Sequence, residues 1–322
     1  MKQINFIWPV GFPLIPGAGG SETFVLGMSE KLSDNNYSTK IYQDISNANA
    51  PSLLKDLSTK NNTIEIFINE FPPAYFKKQC IVSLHCPPDK QFDYDKNFLP
   101  ERHVLITNSK FSRAAYSSLI KANKPILKIV YPWVSPVFTS VSKIRGSTNK
   151  VLYAGRIDKK KGTEIFLGVA RLSARQNDGL QFGVIASPYL DDYGREYISI
   201  CKAEPNINVL DSVSNPKQMA ELISQWDILV MPSLWPEPFG RLSIEAQHLG
   251  VRVIAADIGG ISETDCGLLE QAKHGDIKDF YNKIISTSTL GAPSIVTIKK
   301  AQEYFTLQVS FDAFVKVVKS IE

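Results

Sequence analysis

The sequence of 322 residues has few cysteines and no long apolar run. Its four cysteines, Cys80, Cys86, Cys201 and Cys266, form no C-x-x-C pair. This spacing favours reduced, mostly buried thiols in a cytosolic protein over a zinc site or a disulfide framework. No stretch approaches the ~20 apolar residues that span a membrane. We therefore expect a cytoplasmic protein.

The N-terminus lacks the features of a secretory leader. Its apolar run, residues 4–10, contains Pro9, is followed by Pro13 and Pro16, and leads to no A-x-A cleavage site. We predict that this run forms a first β-strand.

Several catalytic and nucleotide-binding motifs are also absent. The chain contains no Walker A, G-x-S-x-G or H-E-x-x-H pattern. The segment Gly17-Ala-Gly-Gly-Ser-Glu22 has Glu22 where the third glycine of G-x-G-x-x-G belongs, which disfavours a nicotinamide or flavin enzyme. Its glycines still let a ligand approach the backbone closely, because they carry no side chain.

The net charge of +4 is unevenly distributed. Residues 1–145 carry 17 Lys and Arg against 11 Asp and Glu. This excess suits an anionic acceptor or peripheral contact with an anionic membrane surface, although ordinary solvated lysines explain it equally well. Basic runs such as Lys77-Lys78 are too short to predict nucleic-acid binding.

Short apolar runs alternate with longer helical segments along the chain, which predicts parallel sheets covered by helices. The pattern restarts after Arg145-Gly-Ser-Thr-Asn-Lys150, a polar segment typical of a linker. We predict two Rossmann-like, doubly wound α/β domains, residues 1–145 and 146–300, facing each other across a cleft. The predicted strands are residues 4–9, 39–42, 64–68, 81–85, 104–107, 126–130, 151–154, 181–185, 207–209, 228–231 and 251–255. The predicted helices are residues 21–33, 109–120, 163–175, 216–224 and 242–249, followed by two helical stretches within 293–322.

Glu237 and Glu245 are the most informative residues of the second half. Glu237 lies in a proline-rich loop, and Glu245 lies within the helix predicted to follow it. The unpaired N–H groups of that helix N-terminus can bind an anion, while the two carboxylates can bind hydroxyl groups on either side of it. A nucleotide-sugar, with a diphosphate between two sugars, has this shape.

A basic loop follows the strand predicted at residues 151–154. Arg156 and the three lysines Lys159, Lys160 and Lys161 lie between this strand and the next predicted helix. A guanidinium and an ammonium at the carboxyl end of a parallel strand suit a diphosphate leaving group. A solvent-facing basic turn is the alternative when the loop is considered alone.

Two further features of the first half could carry chemistry. His85 ends a predicted strand and precedes Pro87-Pro88, so it is either a residue of the cleft or a core histidine. Asp93-Tyr-Asp95 matches the metal-binding D-x-D pattern, but it lies in a lysine- and proline-rich loop, and we assign it to the surface.

Taken together, these segments resemble the retaining glycosyltransferases of family 4, which have the GT-B fold. The spacing of the matching segments is collinear over nearly the whole chain. Asp211 departs from the pattern, since a glycine is usual just before the position of Val213. The matching segments are Glu237-Pro-Phe-Gly240 with Ile244-Glu245-Ala246 (the E-x7-E motif), Gly155-Arg156 with Lys161-Gly162, Gly19-Gly20-Ser-Glu22, Ile106-Thr-Asn-Ser109 and Ile254-Ala-Ala-Asp-Ile-Gly-Gly260.

The resemblance implies roles for individual residues. Residues 1–145 would bind the acceptor, residues 146–300 would bind the donor, and the helix in 301–322 would cross back onto the first domain with the apolar stripe Phe305, Val309, Phe311, Phe314 and Val318. The implied contacts are Glu245 with the ribose, Glu237 with the donor sugar, the backbone of Phe239, Gly240 and Arg241 with phosphate or sugar, Arg156 and Lys161 with the diphosphate, the backbone near Val213 with the base, Gly19 and Gly20 under the phosphate and sugar, and His85 near the donor sugar.

The resemblance further implies transfer of a hexosyl unit with retention from a UDP- or GDP-sugar, with UDP favoured. The acceptor would be a glycan, a lipid-linked sugar or a small molecule. No metal and no tightly bound cofactor is expected, because Arg156, Lys161 and the helix N-terminus supply positive charge. Two alternatives stay open: a nucleotide-sugar epimerase or phosphorylase of the same fold, and a non-catalytic subunit that binds a sugar or a partner.

Overall fold

A computed structural model describes residues 2–9, 12–15, 19–43, 50–73, 75–86, 102–120, 126–141, 149–186, 190–213 and 215–321. The strands are β1 (Gln3–Ile7), β2 (Thr39–Tyr42), β3 (Thr63–Ile68), β4 (Ile81–Leu84), β5 (Val104–Thr107), β6 (Ile126–Ile129), β7 (Lys150–Tyr153), β8 (Gln181–Ile185), β9 (Ile207–Leu210), β10 (Ile228–Met231), β11 (Arg252–Ala256) and β12 (Leu269–Ala272). The α-helices are α1 (Gly20–Asp34), α2 (Pro51–Thr59), α3 (Lys110–Leu119), α4 (Val137–Ser140), α5 (Thr163–Gln176), α6 (Asp192–Ala203), α7 (Pro216–Ile223), α8 (Arg241–His248), α9 (Ile277–Ser288), α10 (Ile295–Ala301) and α11 (Leu307–Lys319).

The chain forms two compact units. Unit 1 consists of Met1–Trp133 together with Leu307–Glu322, and unit 2 consists of Val134–Thr306. Each unit contains one six-stranded sheet, and all strand pairs are parallel. Every residue of β3, β4 and β5 is buried, as expected for parallel strands covered on both faces. The predicted α/β class with two Rossmann-like sheets is therefore confirmed.

The strand order gives each sheet one point where the direction of winding changes. In unit 1 the order is β2-β1-β3-β4-β5-β6, so the chain goes from β1 to one side and returns to β3 on the other. In unit 2 the order is β12-β11-β10-β7-β8-β9, and the change lies between β7 and β10. Open α/β sheets bind ligands outside the carboxyl ends of the strands at such points.

Unit 1 completes its core with α11. Phe314 is fully buried, and its ring is stacked with that of Phe6 in β1 at a centroid distance of 6.4 Å. Val317 and Val318 are buried in the same cluster. The predicted apolar stripe was wrong at two positions: Val309 is 60% exposed on α11, and Phe305 precedes that helix.

The helices predicted over residues 21–33 and 109–120 both begin with a serine, a residue type that often caps helices. Ser109 caps α3, and its hydroxyl accepts a hydrogen bond from the N–H of Ser112 at 2.9 Å. Ser21 does not cap α1, because Gly19 occupies the cap position and the helix begins one residue before Ser21. No helix in the described part of the chain is long and apolar enough to cross a bilayer.

Candidate functional site

Two loops of unit 2 meet where its winding direction changes, after β7 and after β10. Gly162 closes the first loop with a left-handed backbone (φ +71°), and a Cβ there would collide with the carbonyl oxygen of Pro232 in the second. The N–H of Leu234 donates to the carbonyl oxygen of Lys160 at 2.8 Å. A glycine is thus required for the close approach of the two loops.

An ion pair joins the same two loops. Nζ of Lys161 lies 2.5 Å from Oε1 of Glu237, and the side chains are 18% and 9% exposed. The hydroxyl of Ser233 donates to the same oxygen at 2.7 Å. Among the described residues Oε2 of Glu237 has no hydrogen-bond partner, so this oxygen is available to a ligand.

Trp235 lies beside this pair. The ammonium of Lys161 is 5.1 Å from the centroid of its ring, which is within the range of a cation–π contact. Its Nε1–H is buried and donates no hydrogen bond within the described residues. An indole donor left without an acceptor is uncommon in a folded core.

The second loop leads directly into α8. Gly240, the residue before the helix, has φ +97°, a conformation that a residue with a side chain adopts only under strain. Phe239 is buried, and its ring packs against Phe305 with a centroid distance of 5.3 Å. The loop that carries Glu237 therefore ends at the N-terminus of α8, where the first N–H groups, beginning at Arg241, lack partners within the helix.

Glu245 lies one helical turn after Arg241. Its Oε1 accepts a hydrogen bond from Nη2 of Arg241 at 2.8 Å, and its side chain is 12% exposed. Burial raises the pKa of the Glu245 carboxyl, and the guanidinium of Arg241 offsets only part of this effect. In its ionised form the Glu245 carboxylate can only accept hydrogen bonds, which suits ligand hydroxyls.

Gly259 and Gly260 pack against the backbone of Glu237. The N–H of Gly260 donates to the carbonyl oxygen of Glu237 at 2.7 Å. Gly259 has φ +74°, and a Cβ there would collide with the backbone of Glu237. Both glycines lie in the segment Ile254–Gly260, which resembles a recurrent segment of family 4.

Arg156 lies on the same loop as Lys161 but is far more exposed. Its guanidinium is 74% exposed and lies 3.6 Å from a carboxylate oxygen of Asp158. Its carbonyl oxygen accepts a hydrogen bond from the hydroxyl of Tyr153 at 2.6 Å. The backbone is therefore fixed while the guanidinium stays accessible. Val213, after the edge strand β9, is half-buried, and its predicted contact with a base stays a prediction.

Gly19, Gly20 and His85 lie in unit 1, at the carboxyl ends of its strands. Gly19 precedes α1, and the Glu22 carboxylate covers it, since a Cβ on Gly19 would lie 2.6 Å from Oε2. The ring of His85 packs on Phe24 at 4.6 Å, and its Nε2 lies 3.0 Å from the hydroxyl of Ser83.

Two asparagines that the sequence prediction missed hold the backbone of His85. Oδ1 of Asn69 accepts from its N–H at 2.7 Å, and Nδ2 of Asn108 donates to its carbonyl oxygen at 3.0 Å. Asn69 also donates through Nδ2 to the hydroxyl of Ser21 at 2.9 Å. The carboxyl ends of β3 and β4 and the first turn of α1 are joined in this way. The sequence position of each asparagine could have indicated this role, because each directly follows a strand.

The D-x-D pattern Asp93-Tyr-Asp95 is the metal-binding candidate in the sequence. Asp93 and Asp95 lie outside the described residues. Within the described ranges, no cluster of three or more His, Cys, Asp or Glu side chains could hold a metal ion.

Comparison with solved structures shows proteins of the same fold. A glycosyltransferase of Rickettsia africae ESF-5 superposes with a TM-score of 0.77 at 17% identity, over 99% of this chain and 98% of that one. An Anabaena protein, HepE, solved with UDP and glucose, gives a TM-score of 0.69 at 16% identity, over 99% and 100% of the two chains. These likenesses confirm the predicted GT-B fold.

Relatives found by sequence match only part of this chain. The D-inositol 3-phosphate glycosyltransferase of Paenarthrobacter aurescens is 25% identical over 179 residues, which are 51% of this chain and 43% of that protein. The chain thus spans less than half of the length of that relative. Residues 136–302, just over half of the chain, match the family described as glycosyl transferases group 1, and the protein belongs to that family.

Proposed function

We propose that the protein is a retaining hexosyltransferase of family 4. It takes the hexosyl unit from a nucleoside-diphosphate sugar, with UDP favoured over GDP, and transfers it to a hydroxyl group of a carbohydrate or lipid-linked acceptor. The observation that carries this proposal is the Lys161–Glu237 ion pair between the loops after β7 and β10, where one glutamate oxygen has no described partner.

Each part of a nucleotide-sugar has a matching group in unit 2. Lys161 and the exposed guanidinium of Arg156 would bind the diphosphate together with the N–H groups at the start of α8. Oε2 of Glu237 would accept a hydroxyl of the donor sugar. Glu245 would accept the ribose hydroxyls. HepE, a protein of the same fold, was solved with UDP and glucose, which supports a UDP-sugar as the first donor to test.

The chemistry follows from this charge distribution. Departure of the diphosphate leaves oxocarbenium character on the sugar, and the negative charge grows on the leaving oxygen. Lys161 and Arg156 stabilise that charge. We favour a front-face reaction in which the acceptor oxygen bonds to the anomeric carbon and its proton passes to the leaving phosphate oxygen.

A thermal-shift panel of nucleotide-sugars tests the proposal. A donor at two hundred times its dissociation constant adds about 3 kcal/mol to the stability of the folded protein, which identifies base and sugar together. Transfer to an acceptor with an unchanged anomeric configuration is the expected second result. Conversion of the donor without an acceptor would favour an epimerase. Binding without turnover on any acceptor would favour a non-catalytic subunit.

A further inference from the structure

Glu70 is a half-buried carboxyl group that the donor site does not use. It follows Asn69 at the carboxyl end of β3, the strand beside β1 where the winding of unit 1 changes direction. The rule that places ligands at such points applies to unit 1 as it does to unit 2. Unit 1 therefore has a ligand position of its own, and Glu70 lies at it.

Within the described residues, Glu70 has no partner of opposite charge. It makes no hydrogen bond and no ion pair with any residue in the described part of the chain. Burial raises the pKa of its carboxyl, and no neighbouring cation offsets the effect. A partly buried carboxylate without a partner is costly in a folded protein, and ligand hydroxyls can supply the missing hydrogen bonds.

The backbone that carries Glu70 is held firmly. Asn69 adopts a left-handed conformation (φ +50°), and its N–H donates to the carbonyl oxygen of Ser83 at 2.8 Å. Its side chain binds the N–H of His85 and the hydroxyl of Ser21. Asn69, the residue before Glu70, is thereby fixed to the first turn of α1 and to His85, the two parts of unit 1 that the resemblance places near the donor sugar.

We propose that Glu70 binds a hydroxyl group of the acceptor, and that the part of the acceptor bound there is a neutral polyol and not a phosphorylated one. The inference rests on the proposed transferase function. A carboxylate accepts hydrogen bonds from hydroxyl groups but repels a phosphate. The positive charge of residues 1–145 had suggested an anionic acceptor, and the carboxylate at the ligand position of unit 1 argues for the opposite.

The test compares the full-length chain with Glu70→Gln, which keeps the shape and removes the charge. Glu30→Gln is the matched control, since Glu30 is exposed on α1. Transfer from UDP-glucose is measured to glucose and myo-inositol and to their monophosphates. We expect kcat/KM to be at least tenfold higher for the neutral acceptors. Glu70→Gln should raise their KM at least tenfold, as loss of a hydrogen bond to a charged group does, while Glu30→Gln leaves it unchanged.

Two kinetic outcomes overturn the inference: better use of the monophosphates by the wild type, or a KM for the neutral acceptors that Glu70→Gln changes less than twofold. Saturation-transfer NMR with UDP and myo-inositol measures acceptor binding without turnover. We expect a polyol signal in the wild type that is lost in Glu70→Gln, and no signal in the wild type would also overturn the inference. If calorimetry finds no binding of any nucleotide-sugar, the transferase proposal fails instead, and the NMR result still decides the role of Glu70.

Discussion

Lys161 and Glu237, 76 positions apart in the chain, form a 2.5 Å ion pair between the loops after β7 and β10. The ammonium that would neutralise the diphosphate is thus already bound to the carboxylate that would hold the sugar. Since Oε2 of Glu237 has no described partner, the carboxylate can bind a hydroxyl without releasing Lys161.

Lys161→Ala should lower kcat about 100-fold, because a charge contact to the leaving group is worth about 3 kcal/mol. It should also lower the melting temperature, since the largely buried Glu237 loses its cation and keeps only Ser233. Lys160→Ala is the control, because Lys160 is the exposed neighbour on the same loop. Full activity of Lys161→Ala would remove Lys161 from the mechanism.

Gly259→Ala should weaken nucleotide-sugar binding and lower the melting temperature. The added Cβ collides with the backbone of Glu237, in addition to the cost of about 1 kcal/mol for a left-handed conformation. Gly291→Ala is the matched control, since Gly291 has φ +68° and a Cβ there meets nothing within 4 Å. Equal losses in calorimetry and melting for both variants would show that only backbone strain matters.

Glu245→Gln should weaken nucleotide binding without destabilising the protein at neutral pH. The folded-state pKa of Glu245 is raised, so the wild type loses stability as pH rises from 4.5 through that raised value. Glutamine does not titrate. The advantage in melting temperature of Glu245→Gln should therefore be largest at neutral pH and should shrink as pH falls towards 4.5. An advantage independent of pH would contradict this assignment.

His248 should make unit 2 sensitive to acid. It is 2% exposed in α8, and burial lowers its pKa to about 4 from 6.5. Above pH 6.5 the neutral His248 does not reduce the free energy of unfolding. As pH falls from 6.5 towards 4, the free energy of unfolding decreases by at most about 3 kcal/mol, because the unfolded state binds a proton that the buried ring does not. His248→Leu should flatten the fall of the melting temperature across this range. His274→Leu, at an exposed histidine, is the control.

EDTA should leave transfer activity intact, because Arg156, Lys161 and the start of α8 provide the positive charge that the leaving diphosphate requires. Activity assays with and without the chelator measure this directly. Loss of activity that magnesium or manganese restores would return attention to Asp93 and Asp95.

The sequence predicted the sheets better than the connections between them. β2, β5, β8 and β10 have the predicted bounds. The clearest case is β10, whose four residues Ile228–Met231 form an uninterrupted apolar run. β12 was missed, since Leu269–Ala272 contains Glu270 and Gln271. These polar side chains are tolerated because β12 is at the edge of its sheet.

Asp191-Asp192 is a pair of residue types that is typical of a polar turn. Asp191 instead caps α6, and its carboxylate accepts a hydrogen bond from the N–H of Gly194 at 2.7 Å. The same residue types favour turns and helix starts, so the pair alone does not distinguish the two.

The candidate site was predictable as a set of residue types but not as an arrangement. Glu237 and Lys161 came from two separate segments, and their contact depends on the position of β10 beside β7, which no local pattern reveals. Asn69 and Trp235 were missed for a similar reason. The role of Asn69 depends on its left-handed backbone conformation, and that of Trp235 depends on its contact with a lysine on another loop.

The division of unit 1 into two stretches of chain affects how the protein is made. Phe314, buried against β1, is translated after all of Val134–Thr306. On the ribosome, the whole sequence of unit 2 therefore emerges while the sheet of unit 1 still lacks one covering helix. Domains usually fold in the order of synthesis. Here the second unit can finish first, and the N-terminal sheet exposes an apolar face until α11 leaves the exit tunnel.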